Sequence, residues 1–408
     1  SLLPADVEFS LMGYTTQVIR FEGPKKVTIR LHLEAQMLED AQVIAYGKQS
    51  KMSITGSISS IDTKELLKSP SGSAAGALAG AVPGVSTVQA SGQPGAEDPI
   101  IYVRGSGSLT DAASQPLILV DGVERSFFQM DPNEIESITV LKDAASTAVF
   151  GVRGANGVIL VTTRRGKEGR NQIAVNSSFG LTQALRNLYG VSSYDYATLY
   201  TEAQKNDNPK IKNSELAFSP YVTELFRTGA DPVMFPNVEW NDYLFKNLAW
   251  QTQHNVTMSG GGKHAKYFIS AGFMHQDGMM KQYNENYNSN FTYNRYNLRA
   301  NVDVNITPTT VLSANIGTRI GVQSAPNNYD IWRNIMWCTP FASAGFVDGK
   351  RIYNPNNPFI ILPAQTSGLD LYYDWGYNKN TDNVMNLDFI LNQDLGMLTE
   401  GLTLTLKG

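Results

Sequence analysis

The chain has 408 residues, with 33 basic and 37 acidic side chains and a formal net charge of −4. This balance excludes the strongly basic surface that nucleic-acid-binding domains present. Charged residues make up 17% of the chain, below the roughly 25% of an ordinary soluble domain, whereas 42% hydrophobic residues are enough for a folded core. The single cysteine, Cys338, excludes a disulfide framework and a cysteine-based zinc site. The four histidines show no metal-binding spacing, so neither a metal nor a cofactor is predicted.

The first residues contain a small β unit and no targeting segment. Residues 1–4 lack the basic and apolar regions of a signal peptide, which is therefore cleaved or not included. No apolar run approaches the ~18 residues of a membrane-spanning helix. Over residues 5–34, two runs alternate apolar and polar residues around a Gly23-Pro24 turn. This unit is too short for a core of its own, so we expect its N-terminal part to be missing.

A compact α/β region is predicted between residues 99 and 165, after a linker at 38–56. Short apolar runs such as Leu117–Val120 and Val158–Thr163 predict buried strands. The sequence Asp131-Pro132-Asn133-Glu134 predicts a helix start, with a capping Asp, a proline at the first helical position and a capping acid.

The composition changes sharply near residue 170. No asparagine occurs before residue 133, whereas 30 of the 32 asparagines lie in 171–408. All five tryptophans and 16 of the 19 tyrosines also follow residue 170. A shift of this size predicts a domain boundary there.

After residue 171 the apolar period becomes two, which predicts seven β-strands. One strand is predicted to turn its apolar residues to lipid (Leu298, Ala300, Val302, Val304) and its polar residues to a lumen (Arg299, Asn301, Asp303). Long connections near 183–251 and 325–382 and a medium one near 277–290 alternate with short ones near 260–263, 307–309 and 398–400. This alternation is typical of an outer-membrane barrel with long extracellular loops and short periplasmic turns. The alternative is a soluble β-sandwich, whose apolar face is seldom opposed so steadily by Asn, Ser, Gly and Arg.

The stretch from Pro116 to Gly166 carries the features of a known family. It contains Val120-Asp121-Gly122, Ile135-Glu136-Ser137-Ile138, Leu141-Lys142-Asp143, Gly154-Ala155-Asn156-Gly157 and Thr162-Thr163. In composition and spacing it closely resembles the plug signature of TonB-dependent outer-membrane transporters of the SusC/RagA class.

This resemblance implies a transmembrane β-barrel with an N-terminal α/β plug domain, in the cell outer membrane. The chain has room for about seven of an expected 22 antiparallel strands, so we expect a fragment of the barrel. The expected parts are the end of a carboxypeptidase-regulatory-like β extension (1–37), a TonB-box-like segment (38–47), the plug (48–169) and the first part of the barrel (170–408).

The TonB-box-like segment consists of Ala41, Gln42, Val43, Ile44, Ala45 and Tyr46. A short extended segment on a linker can add as an edge strand to the sheet of a partner, and the resemblance implies that this partner is TonB. Gln42 departs from the more uniformly apolar box of the family. The alternative is a plain linker.

The aromatic residues of the barrel region fall into two groups. Tyr267, Phe273, Phe291 and Tyr293 lie near strand ends and are predicted to form interfacial girdles. Trp332, Trp337, Tyr353 and Trp375 lie in the 325–382 connection and are candidates for contact with substrate or with a lipoprotein lid. Packing within the loop is the alternative for this second group.

No motif for covalent chemistry is present, so an enzyme is not predicted. The glycines at 151, 154 and 157 follow a predicted helix and not a strand, which excludes a phosphate-binding loop. Glu134 and Glu136 are interpreted as capping and surface charges. No GxSxG motif suggests a nucleophilic serine.

The predicted function is TonB-dependent import of a large nutrient, with an oligosaccharide expected, together with a SusD-type surface lipoprotein. The expected partners are therefore that lipoprotein, TonB, the substrate and outer-membrane lipid. Two alternatives stay open: a peptide importer of the same class, and a transporter-like receptor that signals through its N-terminal extension.

Overall fold

The structure is a computed structural model that describes residues 5–9, 17–21, 41–44, 47–50, 58–69, 71–105, 114–185, 190–283, 286–327, 331–352, 357–361, 367–373 and 375–408. Two hairpins come first along the chain. Strand β1 (Ala5–Phe9) pairs antiparallel with β2 (Gln17–Phe21), and β3 (Ala41–Ile44) pairs antiparallel with β4 (Gly47–Ser50). The second apolar alternation of the predicted β unit, after Gly23-Pro24, lies outside the described residues.

An α/β unit follows, which we call the plug (residues 58–166). Its strands are β5 (Ile58–Asp62), β6 (Val85–Val88), β7 (Ile100–Val103), β8 (Leu117–Val120), β9 (Val123–Glu124), β10 (Ile135–Leu141) and β11 (Val158–Thr163). Its helical segments are α1 (Thr63–Leu66), α2 (Ala144–Thr147) and three 3-10 segments at Gly76–Leu78, Pro132–Glu134 and Ala148–Gly154. Five strands form one sheet in the order β5-β10-β11-β8-β9, while β6 and β7 form a separate hairpin.

The plug sheet buries both of its faces. Along β11, Val158 and Leu160 join one apolar cluster while Ile159 and Val161 join another, because successive side chains of a strand point to opposite faces. All four side chains are at most 4% exposed. Burial on both faces explains why this strand is a continuous apolar run.

Two local features of the plug follow from its sequence. The Asp131 side chain accepts a hydrogen bond from the Asn133 N–H, and Pro132 occupies the first helical position, as predicted. The turn after β8 places Asp121 and Gly122 at φ 50° and 78°, a left-handed conformation that Gly adopts freely and Asp tolerates.

The rest of the chain forms one antiparallel sheet with strands in sequence order. Its strands are β12 (Gly169–Thr182), β13 (Ala249–Gly261), β14 (Ala265–Asp277), β15 (Thr292–Thr307), β16 (Thr310–Pro326), β19 (Tyr377–Asp394) and β20 (Thr403–Lys407). The predicted seven strands and the alternation of long and short connections are therefore confirmed. Strand β19 begins before the predicted residue 383, because the polar segment 377–382 pairs in register with the end of β16 although it lacks an apolar alternation.

The side chains of this sheet divide into a mainly apolar outer face and a mainly polar inner face, and the charged outward positions Asp277 and Lys379 lie at the ends of β14 and β19. On β15, Leu298 is 51% exposed on the outer face, whereas Arg299 and Asn301 are 7% and 1% exposed because they lie against the plug. The predicted faces of this strand are thus confirmed. Among the described residues no helix is both long and apolar enough to cross a membrane.

The predicted aromatic girdle is wrong for two of its four members. Phe291 and Tyr293 are each 4% exposed. Tyr293 has the inward parity of β15, and its ring lies between Gly95 of the plug and Gly321 of β16. Phe291 precedes β15 and packs among the loops. The period-two rule gives Tyr293 the inward face that Arg299 and Asn301 share, and it does not apply to Phe291, which lies outside the strand.

The three long connections leave the same end of the sheet and form a loop layer. They span 183–248, 278–291 and 327–376. Their elements are α3 (Ser193–Asp207), α4 (Pro220–Thr228), α5 (Trp240–Leu244), α6 (Ile331–Met336), β17 (Phe346–Val347), β18 (Lys350–Arg351) and α7 (Gly368–Tyr373). One apolar cluster joins the first and third connections, and a second, which includes Trp240, Met280 and Ile335, joins all three. The loop layer is therefore packed against itself.

A charged side chain on the outer face should lower the free energy of unfolding strongly at mid-strand and only slightly at the strand end. Ala300→Arg should lower the free energy of unfolding in lipid by about 2–4 kcal/mol, because it places an ionised group near the bilayer midplane, while Ile306→Arg should cost about 0–1 kcal/mol. Urea unfolding of the intact protein in lipid vesicles measures both. Equal, small costs would contradict the assignment of this face to lipid.

Candidate functional site

The inward positions of β15 form a row of polar side chains that contact the plug. The Asn297 Nδ2 donates to the backbone oxygen of Gln129 (3.1 Å), and the Asn301 Nδ2 donates to the backbone oxygen of Arg164 (2.7 Å). Every second side chain points inward, so this strand contacts the plug at alternate residues. We call Arg295, Asn297, Arg299, Asn301 and Asp303 the β15 polar row.

A buried ion pair lies at the centre of this row. The Arg299 Nε donates to the Glu134 Oε2 at 2.9 Å, and the two side chains are 8% and 3% exposed. Burial raises the pKa of the Glu134 carboxyl above its ordinary value, and the Arg299 guanidinium offsets part of that shift. The second carboxyl oxygen, Oε1, has no hydrogen-bond donor among the described residues. Removal of either partner would leave the other charge buried and uncompensated.

Two further buried groups hold the plug above and beside this pair. The Arg295 side chain is among the largest fully buried ones, and its Nη2 donates to the Gly72 backbone oxygen (2.7 Å) while its Nη1 donates to the Gln129 Oε1 (3.2 Å). The Asp131 Oδ2 accepts from the Asn255 Nδ2 of β13 (3.2 Å). In these contacts the plug supplies the acceptors and the inner wall supplies the donors.

A second set of contacts fixes the plug where its chain leaves towards β12. The Thr163 Oγ1 donates to the Asp121 Oδ2 (2.7 Å) and accepts from the Asn301 Nδ2 (2.9 Å). Two residues later, Arg165 forms an ion pair with Asp303 at 2.7 Å. Here the charges are reversed, with the cation on the plug and the acid on the wall.

Glycines allow the two parts to approach closely. A Cβ on Gly166 would lie 2.3 Å from the backbone nitrogen of Tyr267, and a Cβ on Gly272 would lie 2.8 Å from the Asp131 Oδ2. Real Cβ atoms do not make such contacts without displacement of the neighbour. The polar contacts of the wall therefore depend on the absence of a side chain at these positions.

A cavity of about 290 Å³ separates the plug from β15, β16 and β19 beside the buried ion pair. Its lining is polar and includes Asp98, Gln129 and Asn297 together with the Arg319–Asp382 ion pair. Burial raises the pKa of Asp98 above its ordinary value, and the Gln129 hydrogen bond lowers it in part. Paired charges and amides offer both donors and acceptors, which suits a hydroxyl-rich ligand.

The structure describes only part of the TonB-box-like segment. Ala41–Ile44 forms strand β3 and pairs with Gly47–Ser50, so Ala41, Gln42, Val43 and Ile44 are extended, whereas Ala45 and Tyr46 lie outside the described residues. This segment is therefore a strand that already has one partner.

The four aromatic candidates of the third connection are separate from one another where they are described. Trp337 and Trp375 are 78% and 53% exposed, and no ring contact joins them within the described ranges. Trp332 lies in α6 with its side chain outside the description, and Tyr353 lies outside the described residues. Exposure of two of these rings is consistent with contact to a ligand or partner. Across the described ranges, no group of His, Cys, Asp and Glu side chains could hold a metal ion.

The interpretation of Glu134 as a capping and surface charge is wrong, since its side chain is buried against Arg299. Glu136 is exposed, as that interpretation expects. The partner of Glu134 lies 165 residues away, and no local pattern links positions so far apart. One signal was available: Arg299 occupies the inward parity of a predicted strand, so it needs an acceptor inside the barrel.

Loss of the Arg299 side chain should loosen the plug. Arg299→Ala should destabilise the seated plug by about 3–5 kcal/mol, because Glu134 would keep a buried charge without a partner. Hydrogen exchange of β10 and β11, followed by mass spectrometry, should become faster. The matched control is Arg153→Ala in the plug, since Arg153 and its partner Glu124 are 64% and 52% exposed and loss of this pair should cost about 0–1 kcal/mol. Unchanged exchange in Arg299→Ala would contradict the importance of the pair.

A methyl group at Gly166 should also disturb the seated plug. Gly166→Ala forces the chain away from the Tyr267 backbone and should raise the susceptibility of the plug to added protease. Gly262→Ala, in a short turn where an added Cβ would have no neighbour within 4 Å, is the control and should behave as the wild type. Equal protease resistance in both variants would show that the close approach is unimportant.

Comparison with known proteins agrees with this geometry. Residues 50–158 match the family described as TonB-dependent Receptor Plug Domain. The chain is 30% identical over 286 residues to TonB-dependent receptor SusC of Bacteroides thetaiotaomicron, covering 67% of this chain and 26% of SusC. It is 33% identical over 283 residues to TonB-dependent receptor P3 of Formosa agariphila, covering 69% of this chain and 25% of P3.

The fold is similar to that of the RagAB peptide importer in its open-open state, with a TM-score of 0.71 and 24% identity over 90% of this chain and 42% of that chain. The chain spans about a quarter to a third of the length of the curated relatives it matches. The plug, the partial antiparallel barrel and these relatives together show that the chain belongs to the SusC/RagA class of TonB-dependent receptors.

Proposed function

We propose that this protein imports a large nutrient, an oligosaccharide, across the outer membrane in a TonB-dependent step, together with a SusD-type surface lipoprotein. The observation that carries the proposal is the polar interface between the plug and the inner wall. When a hydrogen bond between the plug and the wall is replaced by one to water, the free energy of the protein changes by only about 0.5–1.5 kcal/mol. A plug held by such bonds closes the pore at rest and moves under force without exposing an apolar core.

The outer face supports a location in the outer membrane. Along β15 the outward positions from Tyr296 to Ile306 are uncharged: Tyr296, Leu298, Ala300, Val302, Val304 and Ile306. A strand rises about 3.3 Å per residue. Ten residues of a strand that is tilted by about 40° from the barrel axis therefore span a height of roughly 25 Å. This height equals that of the apolar band of outer-membrane barrels.

The chain is divided, in this proposal, into four parts with different tasks. Residues 1–37 end a β extension, 38–47 bind TonB, 48–169 close the pore and 170–408 begin the barrel. Strand β3 pairs with β4 along one edge, and its other edge has no strand partner among the described residues. An edge strand of TonB pairs with β3 at that open edge or in place of β4, and TonB then pulls on the linker that leads to the plug.

The loop layer is the proposed substrate side. The plug precedes β12 and occupies the barrel from the periplasmic side, so β12 runs outward and the connections after β12, β14 and β16 are extracellular. Trp337 and Trp375 are exposed in the last of these, and Trp332 and Tyr353 belong to the same connection. We assign these four residues to contact with the glycan or with the lipoprotein, since aromatic rings stack on the apolar faces of sugars.

Deletion of Ala41–Tyr46 should abolish uptake of the cognate nutrient while the protein still inserts and still binds substrate. The reason is that force from TonB has no attachment point without this strand. Growth on the nutrient and binding of the purified protein to it measure the two effects separately.

A pair of single substitutions controls for the altered linker length. Val43→Pro removes a backbone donor and blocks strand pairing, whereas Val43→Thr keeps a β-branched residue and should import normally. Wild-type growth in both the deletion and Val43→Pro would mean that the segment is only a tether.

A further inference from the structure

A cavity of about 410 Å³ lies within the loop layer, between the first and third long connections. We call it the loop cavity. The first connection contributes Tyr196, Glu239 and Trp240, and the third contributes Ile335 and Trp337. It is separate from the cavity beside the plug, which the barrel strands line. Its volume lies in the range of about 300–1,000 Å³ that small-molecule sites occupy.

The walls of the loop cavity are held by hydrogen bonds across the two connections. The Val238 N–H donates to the Pro340 backbone oxygen (2.9 Å), and the Trp240 Nε1 donates to the Thr339 backbone oxygen (2.9 Å). Trp240 is 4% exposed. The site is therefore formed before a ligand enters, so little conformational entropy is lost on binding.

Charge distinguishes this cavity from most of the protein surface. Among its described lining residues there is no Lys, Arg or His, and Glu239 supplies the one carboxylate. Burial raises the pKa of the Cys338 thiol to about 12, and burial also raises the pKa of the Tyr196 hydroxyl. Both groups are thus neutral near pH 7, and the net charge of the lining is −1.

Glu239 keeps some capacity to accept hydrogen bonds. Its Oε1 accepts from the backbone N–H and the Nδ2 of Asn241 (3.2 and 3.0 Å), while among the described residues its Oε2 accepts from the Gly190 N–H alone (3.1 Å). A carboxylate offers about four lone-pair sites. One further donor from a ligand therefore fits at Oε2.

We propose that the loop cavity binds one or two units of a neutral glycan, with the ring of Trp337 against a sugar face and the Glu239 carboxylate accepting from a hydroxyl. This inference rests on the proposed import of an oligosaccharide. It adds that the oligosaccharide is uncharged and that the loop cavity is a site where it binds. The negative charge of an acidic sugar would be repelled by the Glu239 carboxylate, and no cationic side chain of the described lining would compensate this repulsion. An apolar side chain supplies no donor to Glu239 and leaves its remaining acceptor capacity unmet.

The experiment has two stages with the intact protein in detergent. An array that carries neutral oligosaccharides, uronate- or sulfate-bearing oligosaccharides and hexapeptides first identifies the class that is retained. Calorimetry with the retained compound then compares the wild type with Trp337→Ala and Glu239→Gln. Tyr221→Ala, which removes an exposed ring of the first connection outside the cavity, is the matched control.

We expect a neutral glycan to be retained. Its affinity should fall about three- to tenfold in Trp337→Ala and in Glu239→Gln, and should stay unchanged in Tyr221→Ala. Because the Trp337 side chain is 78% exposed, its removal should leave the melting temperature at the wild-type value, so a lost affinity reports the site and not the fold.

Each other result overturns the inference in a distinguishable way. Retention of an acidic glycan overturns the neutral class alone and leaves oligosaccharide import standing. Retention of peptides overturns both the inference and the oligosaccharide substrate. Retention of a neutral glycan with wild-type affinity in Trp337→Ala and Glu239→Gln overturns the location.

Discussion

The structure depends on one constraint: the central part of each barrel strand presents a mainly uncharged face to one side and mainly hydrogen-bonding groups to the other. Along β15 this constraint places Arg299 against Glu134 of the plug and Leu298 on the outer face. A shift of the register by one residue would exchange the two faces and place guanidinium groups in lipid. The position of the plug and the membrane boundary are therefore set by the same alternation.

In the proposed function the plug must both close a pore and leave its place, and polar contacts suit both tasks. Apolar contacts would bind the plug strongly and expose a large apolar area once it moved, whereas hydrogen bonds are replaced by water at small net cost. Ion pairs between the plug and the wall are the exception, because separation of buried charges is expensive. They join Glu134 to Arg299, Arg125 to Asp388 and Arg165 to Asp303, and the first of these is the most buried. The glycines at 166 and 272 allow the wall to approach the plug closely enough for such contacts.

Much of the fold could be predicted from the sequence, because period-two patterning and plug motifs are local signals. The faces of β15 and the capping role of Asp131 follow from neighbouring residues alone. The ion pair between Glu134 and Arg299 could not be predicted, since its partners are 165 residues apart. The same holds for Phe291, which lies in a loop just before β15, and for the loop cavity, which residues such as Trp240 and Trp337 build from two connections. These features depend on contacts between residues that are far apart in the sequence. The hydrophobic periodicity of a local segment does not predict such contacts.

Ion conductance across a planar lipid bilayer tests most directly whether charge pairing at this point holds the pore closed. The protein would be compared with Glu134→Arg, Arg299→Glu and the double exchange of both residues. We predict that each single exchange opens a steady leak, because two like charges then face each other in a buried site, and that the double exchange closes it again in large part. Single exchanges that stay as closed as the wild type would contradict the central role of this pair.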